Sequence, residues 1–443
     1  MKKITRIFLS FSLLSVFIID TAFSALSATT ISTIHGTKPN ILTANGTIPS
    51  DPNHILHFTI PDSSGSITYF GDSNFSGVMF SNALKFNDFD IDTWDASLFT
   101  DADGDQPASP NMVTYTNLIA TWVDRYNKTP NSTDNLDPCY APYKLKIDAV
   151  NLSVNSQYGD PMSNLLGNLS HTFTIKVEDI TPKACFVKPD YLGWVNWSVS
   201  GNGPPSVITN GTYNTPNSSN FGGGYETDFV PTIGFKANVI GDKFPTIGFV
   251  GAKFNILTSS SIIFDTTSIP GFMTLTQAGE VTFIADPPSL PQTVSIKDTS
   301  NNIVYSFTLK KWAIPKTAAD SGMSGSNFVN FTTAQTVCSG VSSRLATRAD
   351  LTSSPKNNVT NSMLGTNNVY IRKIDGSVDG EWGSANQYTD SKWMHSYYWT
   401  DDSYNSDPYI VGVNFGSIAL NNAVYDGSSN QPANLPAVAC INY

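Results

Sequence analysis

The sequence predicts a mainly β protein in which tandem β-sandwich domains precede a C-terminal domain of the α+β type. Short segments alternate apolar and polar residues, which is the pattern of strands with one solvated face. Turn-forming clusters of Gly, Pro, Asn and Ser separate these segments, and charged residues make up only 14 % of the 443 residues. Convincing helical patterns occur only near the C-terminus, at Thr332–Ser339 and Thr347–Thr352.

Residues 1–28 have the organisation of a secretory signal peptide. Basic residues open the segment, an apolar run covers residues 7–19, and small residues follow up to Ala28. The apolar run ends at Asp20 and is too short to span a membrane comfortably. We therefore expect export, with no membrane-spanning segment in the mature chain.

Residues 29–230 are predicted to form a β-rich N-terminal domain. Tyr143–Val150 and Thr172–Val177 alternate apolar and polar residues, as antiparallel strands do. The stretch from Gly201 to Tyr225 consists largely of Gly, Pro, Asn and Ser, which predicts a long loop or a domain boundary.

Residues 231–312 are predicted to form an Ig-like β-sandwich. Alternating segments recur at 280–284, 293–298 and 303–310, with turn residues between them. Short strands at this spacing are typical of such sandwiches. The C-terminal domain follows directly after residue 312. We expect so short a junction to limit movement between the two domains.

Residues 313–443 are predicted to form the α+β domain. Cys338 lies beside a predicted helix and Cys440 lies in the terminal strand. Trp382 and Trp399 lie between them, and we interpret both as core residues that fix long loops. A distant cysteine pair around buried aromatics resembles the way a C-type-lectin-like domain is closed.

The chain has four cysteines, an even number in a sequence with an export signal. Of the three possible pairings, Cys139–Cys185 with Cys338–Cys440 keeps each disulfide within one predicted domain. The alternative is a metal site, but no C-x-x-C pair is present and the five histidines are scattered.

The net charge of −11 argues against two classes of partner. No basic stripe is present, so we expect no binding to nucleic acid. Anionic membrane surfaces are disfavoured for the same reason.

Asp101, Asp103 and Asp105 place carboxylates at alternate positions around Gly104. Hard oxygen ligands at this spacing suit Ca²⁺, so the sequence predicts a candidate structural calcium site. The alternative is an acidic turn whose side chains cap backbone amides. No other cofactor is expected.

Trp393, Tyr404, Asp401 and Asp402 lie in loop-like sequence of the last domain. Exposed aromatic residues are strong anchors for proteins and sugars, so we predict that these residues form a binding face.

An enzyme is the alternative interpretation of the acid pairs in the sequence. A glycosidase site would need two carboxylates across a cleft, and Glu226 with Asp228 is one obvious pair. We interpret such pairs as solvated loop residues. The sequence also lacks a Gly-x-Ser-x-Gly motif, and we expect no enzymatic activity.

Four stretches occur in a characteristic order over roughly residues 85–443. They are Asp92–Trp94 with Asp101–Pro107, Cys139–Pro142 with Gln157–Pro161, Cys185–Asp190, and the Cys338–Cys440 block with Arg344–Arg348. In this order they resemble the invasin/intimin group of Gram-negative adhesins, specifically the invasin E adhesion domain family with a C-terminal lectin-like domain.

This resemblance implies an adhesin or invasin whose lectin-like tip binds a receptor while Ig-like domains act as a spacer. The implied partner is a host-cell or bacterial surface receptor, protein or glycan. The implied location is secreted or on the outer cell surface of a Gram-negative bacterium, with the periplasm as the alternative. A secreted carbohydrate-binding lectin is the alternative function, although the loop and strand motifs of calcium-dependent lectins are missing.

Overall fold

The computed structural model describes residues 36–63, 65–73, 77–196, 206–208, 223–358, 368–421 and 435–443, and the predicted signal peptide lies outside them. The chain forms two compact units. The first unit contains the described residues up to Leu136 together with Pro142–Val177. The second unit contains Asp137–Ala141 and Glu178–Tyr443.

The first unit is organised around the long strand Tyr143–Asn155. This strand pairs antiparallel with Ser163–Ile175 on one side and with Val113–Thr114 and Asn117–Val123 on the other. Leu145 and Ile147 point into the core while the side chains between them face solvent.

The two strands predicted in this region are confirmed, and both are longer than their patterns indicated. The register of the central pair shifts between Ala149 and Leu152. Asn151, with a φ of 52°, lies in this irregularity. Because of the extra residue, the next buried position after Ala149 is Leu152, three residues later and not two. The alternating sequence pattern is therefore interrupted although the strand continues.

The rest of the first unit consists of short elements around an aromatic core. Phe58 packs against Phe80, Phe89 and Phe173 at centroid distances of 5.9, 5.2 and 5.0 Å. The elements are the strand pairs Asn40–Ile41 with Phe99–Thr100 and His57–Asp62 with Gly65–Phe70, and the 3-10 turns Pro52–Ile55, Phe86–Asp88 and Ala96–Leu98.

The second unit begins with a six-stranded sheet. Its strands, in spatial order, are Phe229–Val230, Gly234–Lys236, Ala184–Pro189, Lys253–Thr258, Glu280–Phe283 and Met273–Leu275. Two further pairs are Gln292–Lys297 with Ile303–Leu309 and Trp194–Asn196 with Ser206–Ile208. The sheet therefore joins residues on both sides of position 230, and the domain boundary proposed there stays a prediction.

A mixed four-stranded sheet links the middle and end of the second unit. Its order is Ile247–Gly248, Lys311–Pro315, Ala439–Asn442 and Ser343–Leu345. The first pair is parallel and the other two are antiparallel. Strand Lys311–Pro315 runs across the boundary predicted at residue 312.

The remainder is α+β, and the predicted fold class is confirmed. Phe331–Val337 and Arg348–Leu351 lie where helices were predicted, whereas the five-residue helix Val378–Trp382 is too short to show a period in the sequence. The other elements are the sheet Tyr397–Tyr404, Asp407–Gly412 and Ser417–Leu420 and the turns Pro355–Asn358 and Ala385–Gln387.

The predicted disulfide pairing is confirmed. Cys139 bonds Cys185 and Cys338 bonds Cys440, at sequence separations of 46 and 102 residues. Cys338 and Cys440 are each 1 % exposed and pack with Trp399 in a small core. Trp382 and Trp399 are also buried, as predicted.

Replacing both Cys338 and Cys440 with Ser should lower the free energy of unfolding by about 5 kcal/mol, because the unfolded chain regains the entropy of a long loop. Urea unfolding of the full chain measures the change. The Cys139→Ser/Cys185→Ser protein is the matched control, and its shorter loop predicts a loss about 0.7 kcal/mol smaller. An unchanged urea midpoint in the Cys338/Cys440 variant would contradict the prediction.

Candidate functional site

The predicted binding residues lie on a hairpin of the second unit. Strand Tyr397–Tyr404 pairs with Asp407–Gly412 through a two-residue turn, in which Asn405 and Ser406 have φ values of 48° and 71°. The register shifts between Trp399 and Ser403, so the strand bulges at Thr400–Asp402. This bulge leaves Asp401 exposed and Asp402 half-buried.

Both carboxylates of the bulge already have intramolecular partners. Asp402 Oδ2 accepts a hydrogen bond of 2.7 Å from the backbone N–H of Arg348 and lies 3.7 Å from Arg348 Nε. Asp401 Oδ1 accepts a bond of 3.2 Å from Gln335 Nε2. The bulge is therefore hydrogen-bonded to helices Phe331–Val337 and Arg348–Leu351. Of its two carboxylates, that of Asp401 is the more exposed.

Tyr404 is half-buried at the end of the hairpin and packs partly against the main core. Earlier on the same strand, Tyr398 and Trp399 are 0 % and 2 % exposed. The paired strands of the hairpin thus hold the partly exposed phenol of Tyr404 in place.

Trp393 does not lie on this face. It is 5 % exposed and packs against Phe249 and Tyr398 at centroid distances of 5.9 and 5.0 Å. The expectation that its ring is an exposed anchor is wrong. Polar neighbours such as Ser391 and Lys392 indicated a surface loop, but the ring fills a space in the core.

Sequence reasoning missed a group of buried charges around helix Val378–Trp382. Glu381 is fully buried and accepts hydrogen bonds from the hydroxyl of Thr246 and from backbone N–H groups of Thr246 and Gly376, the latter two at 2.7 and 2.8 Å. Burial raises its pKa to about 7, although these donors act in the opposite direction.

Arg372 is the cation of this group and is also fully buried. It donates to the backbone oxygens of Tyr191, Gly193 and Glu381 at 3.0, 3.1 and 2.8 Å. Its guanidinium lies 4.7 Å from the ring centroid of Phe229. These contacts tie the loop before the helix to the first sheet of the second unit, which is a structural role rather than a catalytic one.

Asp350 is the centre of a second buried charge group. Its carboxylate lies 2.5 Å from Arg344 Nη1 and 2.9 Å from Lys311 Nζ, and it accepts a bond of 2.8 Å from the backbone N–H of Thr347. Burial alone would raise its pKa, but the hydrogen bond from Arg344 and the charge of Lys311 dominate and lower it to about 2.

The three aspartates of the candidate calcium site come together in the first unit. The ligand oxygens of Asp101, Asp103 and Asp105 all lie within 4.8 Å of one another. The hydroxyl of Thr37 donates to Asp101 and Asp103 at 3.1 Å. Gly159, at a φ of 111°, lets Asp105 approach so closely that a Cβ would lie 2.5 Å from its Oδ2.

This donor set fits a hard cation such as Ca²⁺, because all three side chains offer carboxylate oxygen. The same geometry also fits the capping alternative. Asp101 Oδ1 accepts a hydrogen bond of 3.0 Å from the backbone N–H of Asp103. Both interpretations therefore stay open.

Glu226 and Asp228 lie beside the loop that contains Arg372. The backbone N–H of Glu226 donates to Arg372 O at 2.9 Å, and Asp228 Oδ2 accepts a bond of 2.8 Å from the N–H of Ile374. Burial raises the pKa of Asp228. Asp228 thus stabilises the loop that contains Arg372 and Ile374.

None of the helices among the described residues has the length and apolar character needed to cross a membrane.

Residues 232–310 match the family model of invasin, domain 4. A comparison with curated proteins finds no match. The fold was also compared with solved structures. The crystal structure of invasin, a bacterial integrin-binding protein, aligns at 14 % identity over 86 % of this chain and 62 % of that one, with a TM-score of 0.35. This chain thus spans less than two thirds of the invasin chain.

Two intimin structures align more weakly. A C-terminal 282-residue fragment, in complex with the intimin-binding domain of the translocated intimin receptor Tir, has 11 % identity over 74 % of this chain and all of that one, with a TM-score of 0.29. Intimin-190 from enteropathogenic E. coli has 12 % identity over 48 % and 94 %, with a TM-score of 0.24. The similarity of this chain to invasin therefore depends on the family-model match over residues 232–310.

Asp350→Asn should lower the free energy of unfolding at pH 7 by about 3–5 kcal/mol, because Arg344 and Lys311 lose their buried counter-charge. The pKa of Asp350 is depressed in the folded protein, so its contribution is complete above the ordinary value of 3.8 and is lost as the pH falls toward about 2. Urea unfolding at several pH values should show the two proteins converging in acid. A difference that is constant with pH would contradict this role.

Calcium should raise the Tm of chelator-treated protein, by an amount that corresponds to about 2.7 kcal/mol at one hundred times the Kd. Asp103→Asn should abolish the rise, whereas Asp242→Asn, at an exposed ion pair in the second unit, should retain it. Calorimetry with and without calcium measures the effect. An unchanged Tm at millimolar calcium would favour the capping alternative.

Proposed function

This chain is similar to the invasin and intimin group, as its match to invasin domain 4 over residues 232–310 shows, and from this premise we propose that it is an exported bacterial adhesin. Its proposed location is the outer surface of a Gram-negative bacterium or the medium, with the periplasm as the alternative. The proposed activity is binding without catalysis.

The proposed binding end is the lectin-like region, residues 313–443. One observation carries this choice: on the hairpin Tyr397–Tyr404/Asp407–Gly412, Asp401 is exposed and Tyr404 half-buried, whereas Tyr398 and Trp399 of the same strand are buried. Side chains that are already held in place lose little entropy on binding. A carboxylate and a partly exposed tyrosine ring suit a receptor that offers hydrogen-bond donors and an apolar pocket.

The proposed role of the Ig-like region, residues 231–312, is that of a spacer. Strand Lys311–Pro315 pairs with Ile247–Gly248 on one side and with Ala439–Asn442 on the other. Backbone hydrogen bonds thus continue from the spacer into the binding region without a flexible linker. We propose that residues 29–230 form the N-terminal part of the adhesion region.

A protein receptor is the proposed partner. The invasin structure is described as integrin-binding, and the intimin fragment is bound to a domain of its protein receptor. Both of those proteins bind a protein receptor, and this class of partner supports the proposal for this chain. A host-cell or bacterial surface protein is therefore the receptor to test first.

The purified exported chain should bind host epithelial cells in a flow cytometry assay, and the combined change Tyr404→Ala/Asp401→Asn should weaken the apparent affinity about tenfold. Tyr158→Ala is the matched control, because Tyr158 is an exposed tyrosine of the first unit. Binding should survive glycosidase treatment of the cells and disappear after protease treatment.

Three results would contradict the proposal. They are the absence of binding to any cell type tested, equal binding by the Tyr404→Ala/Asp401→Asn and control variants, and a purely periplasmic location in the native bacterium. Turnover of a polysaccharide would favour an enzyme.

A further inference from the structure

A groove of about 450 Å³ lies in the second unit, and none of the residues predicted to bind is among its lining residues. One wall is the loop Pro287–Leu290, and the other lining residues are Trp312, Ser342, Ser343, Asn442 and Tyr443. Among the described residues that line it, none has a charged side chain. Its volume is in the range of small-molecule sites.

The floor of the groove is held by the mixed sheet. Trp312, Asn442 and Ser343 lie opposite one another on three adjacent strands, so these lining residues form a single row across the sheet. Trp312 Nε1 donates a hydrogen bond of 2.7 Å to Asp286, the residue that precedes the wall loop. Floor and wall are therefore fixed relative to each other, and a ligand would have little to order.

Tyr443 supplies an aromatic surface at the edge of the groove. It is 54 % exposed, although its backbone N–H donates to Ser342 O at 3.2 Å. The guanidinium of Arg344 lies 5.7 Å from its ring centroid, and Arg344 is itself held by Asp350. The ring is thus positioned by a cation while much of its surface stays open to solvent.

The lining has a chemical character that selects among ligands. Besides the Tyr443 phenol, four lining residues carry hydroxyl or amide side chains, namely Ser289, Ser342, Ser343 and Asn442, and the wall loop adds apolar surface. No cationic side chain lines the groove, and Arg344 beside the Tyr443 ring is already paired with Asp350. A wholly apolar ligand would leave the hydroxyl and amide groups without partners. A sugar ring offers both an apolar C–H face and hydroxyl groups.

We propose that this groove binds a neutral saccharide, with the Tyr443 ring as the stacking surface and the row of serine and asparagine side chains as hydrogen-bond partners. Nothing in the lining requires a metal ion, so binding is independent of calcium. The groove shares no lining residue with Asp401, Asp402 or Tyr404, and the inference therefore goes beyond the proposed receptor function and does not depend on it.

An array of immobilised neutral oligosaccharides, with sialylated and sulfated forms and an octaproline peptide alongside, tests the proposal in chelator-containing buffer. The full exported chain should bind neutral members of the array. Titration calorimetry with the strongest neutral oligosaccharide should then show about a tenfold loss of affinity for Tyr443→Ala. Tyr443→Phe, which keeps the ring, should lose no more than about threefold.

Tyr158→Ala, at a similarly exposed tyrosine outside the groove, is the matched control and should bind like the unchanged protein. The proposal is overturned if no neutral oligosaccharide binds, if only acidic ones bind, or if Tyr443→Ala has no effect. Binding of octaproline in place of sugars, lost on the same change, would assign the groove to a peptide instead.

The Tyr404→Ala/Asp401→Asn variant separates this inference from the receptor function. It should lose cell binding and keep the affinity for the neutral oligosaccharide. Tyr443→Ala should lose affinity for the neutral oligosaccharide and keep its binding to glycosidase-treated cells.

Discussion

The terminal strand Ala439–Asn442 lies between Lys311–Pro315 and Ser343–Leu345, and the rest of the second unit depends on this position. It is the last strand in the chain but an inner strand of its sheet. Cys440 ties it to Cys338 at the end of helix Phe331–Val337. The segment between strands Ser343–Leu345 and Ala439–Asn442 therefore starts and ends on the same sheet.

Buried charged residues also hold this segment against the rest of the second unit. Glu381 reaches from this segment back to Thr246, close to the parallel strand Ile247–Gly248, and Arg372 reaches to Tyr191 and Gly193. These contacts are specific because a buried carboxylate or guanidinium is costly unless each of its partners is in place. Asp379 has no hydrogen-bond partner for either carboxylate oxygen among the described residues, and burial raises its pKa well above the ordinary value.

Period-two patterns predicted the strands of both units because a half-buried sheet forces alternation on the sequence. The same argument failed at Asn151, where one extra residue changes the register without any change in composition. The aspartates at 101, 103 and 105 were predicted to act together because neighbouring positions in a turn cannot be far apart. The pairing of the cysteines followed from domain organisation.

Contacts between distant segments could not be predicted in this way. Trp393 lies among polar neighbours in the sequence, yet Phe249, from far earlier in the chain, packs against its ring and helps to bury it. Thr246 carries no local sign that it meets Glu381. The groove beside Tyr443 likewise combines a proline-containing loop with residues from three strands, so neither its shape nor its uncharged lining is visible in any one stretch of sequence.

The order of the disulfides has a consequence for biogenesis. Each cysteine bonds the next one along the chain, Cys139 with Cys185 and Cys338 with Cys440. A polypeptide that enters an oxidising compartment N-terminus first exposes each cysteine together with its native partner before a competing thiol arrives. In the proposed export, the first bond can therefore close before Cys338 and Cys440 enter that compartment. An oxidase that joins cysteines in order of emergence would suffice, and no isomerase would be needed to correct the pairing.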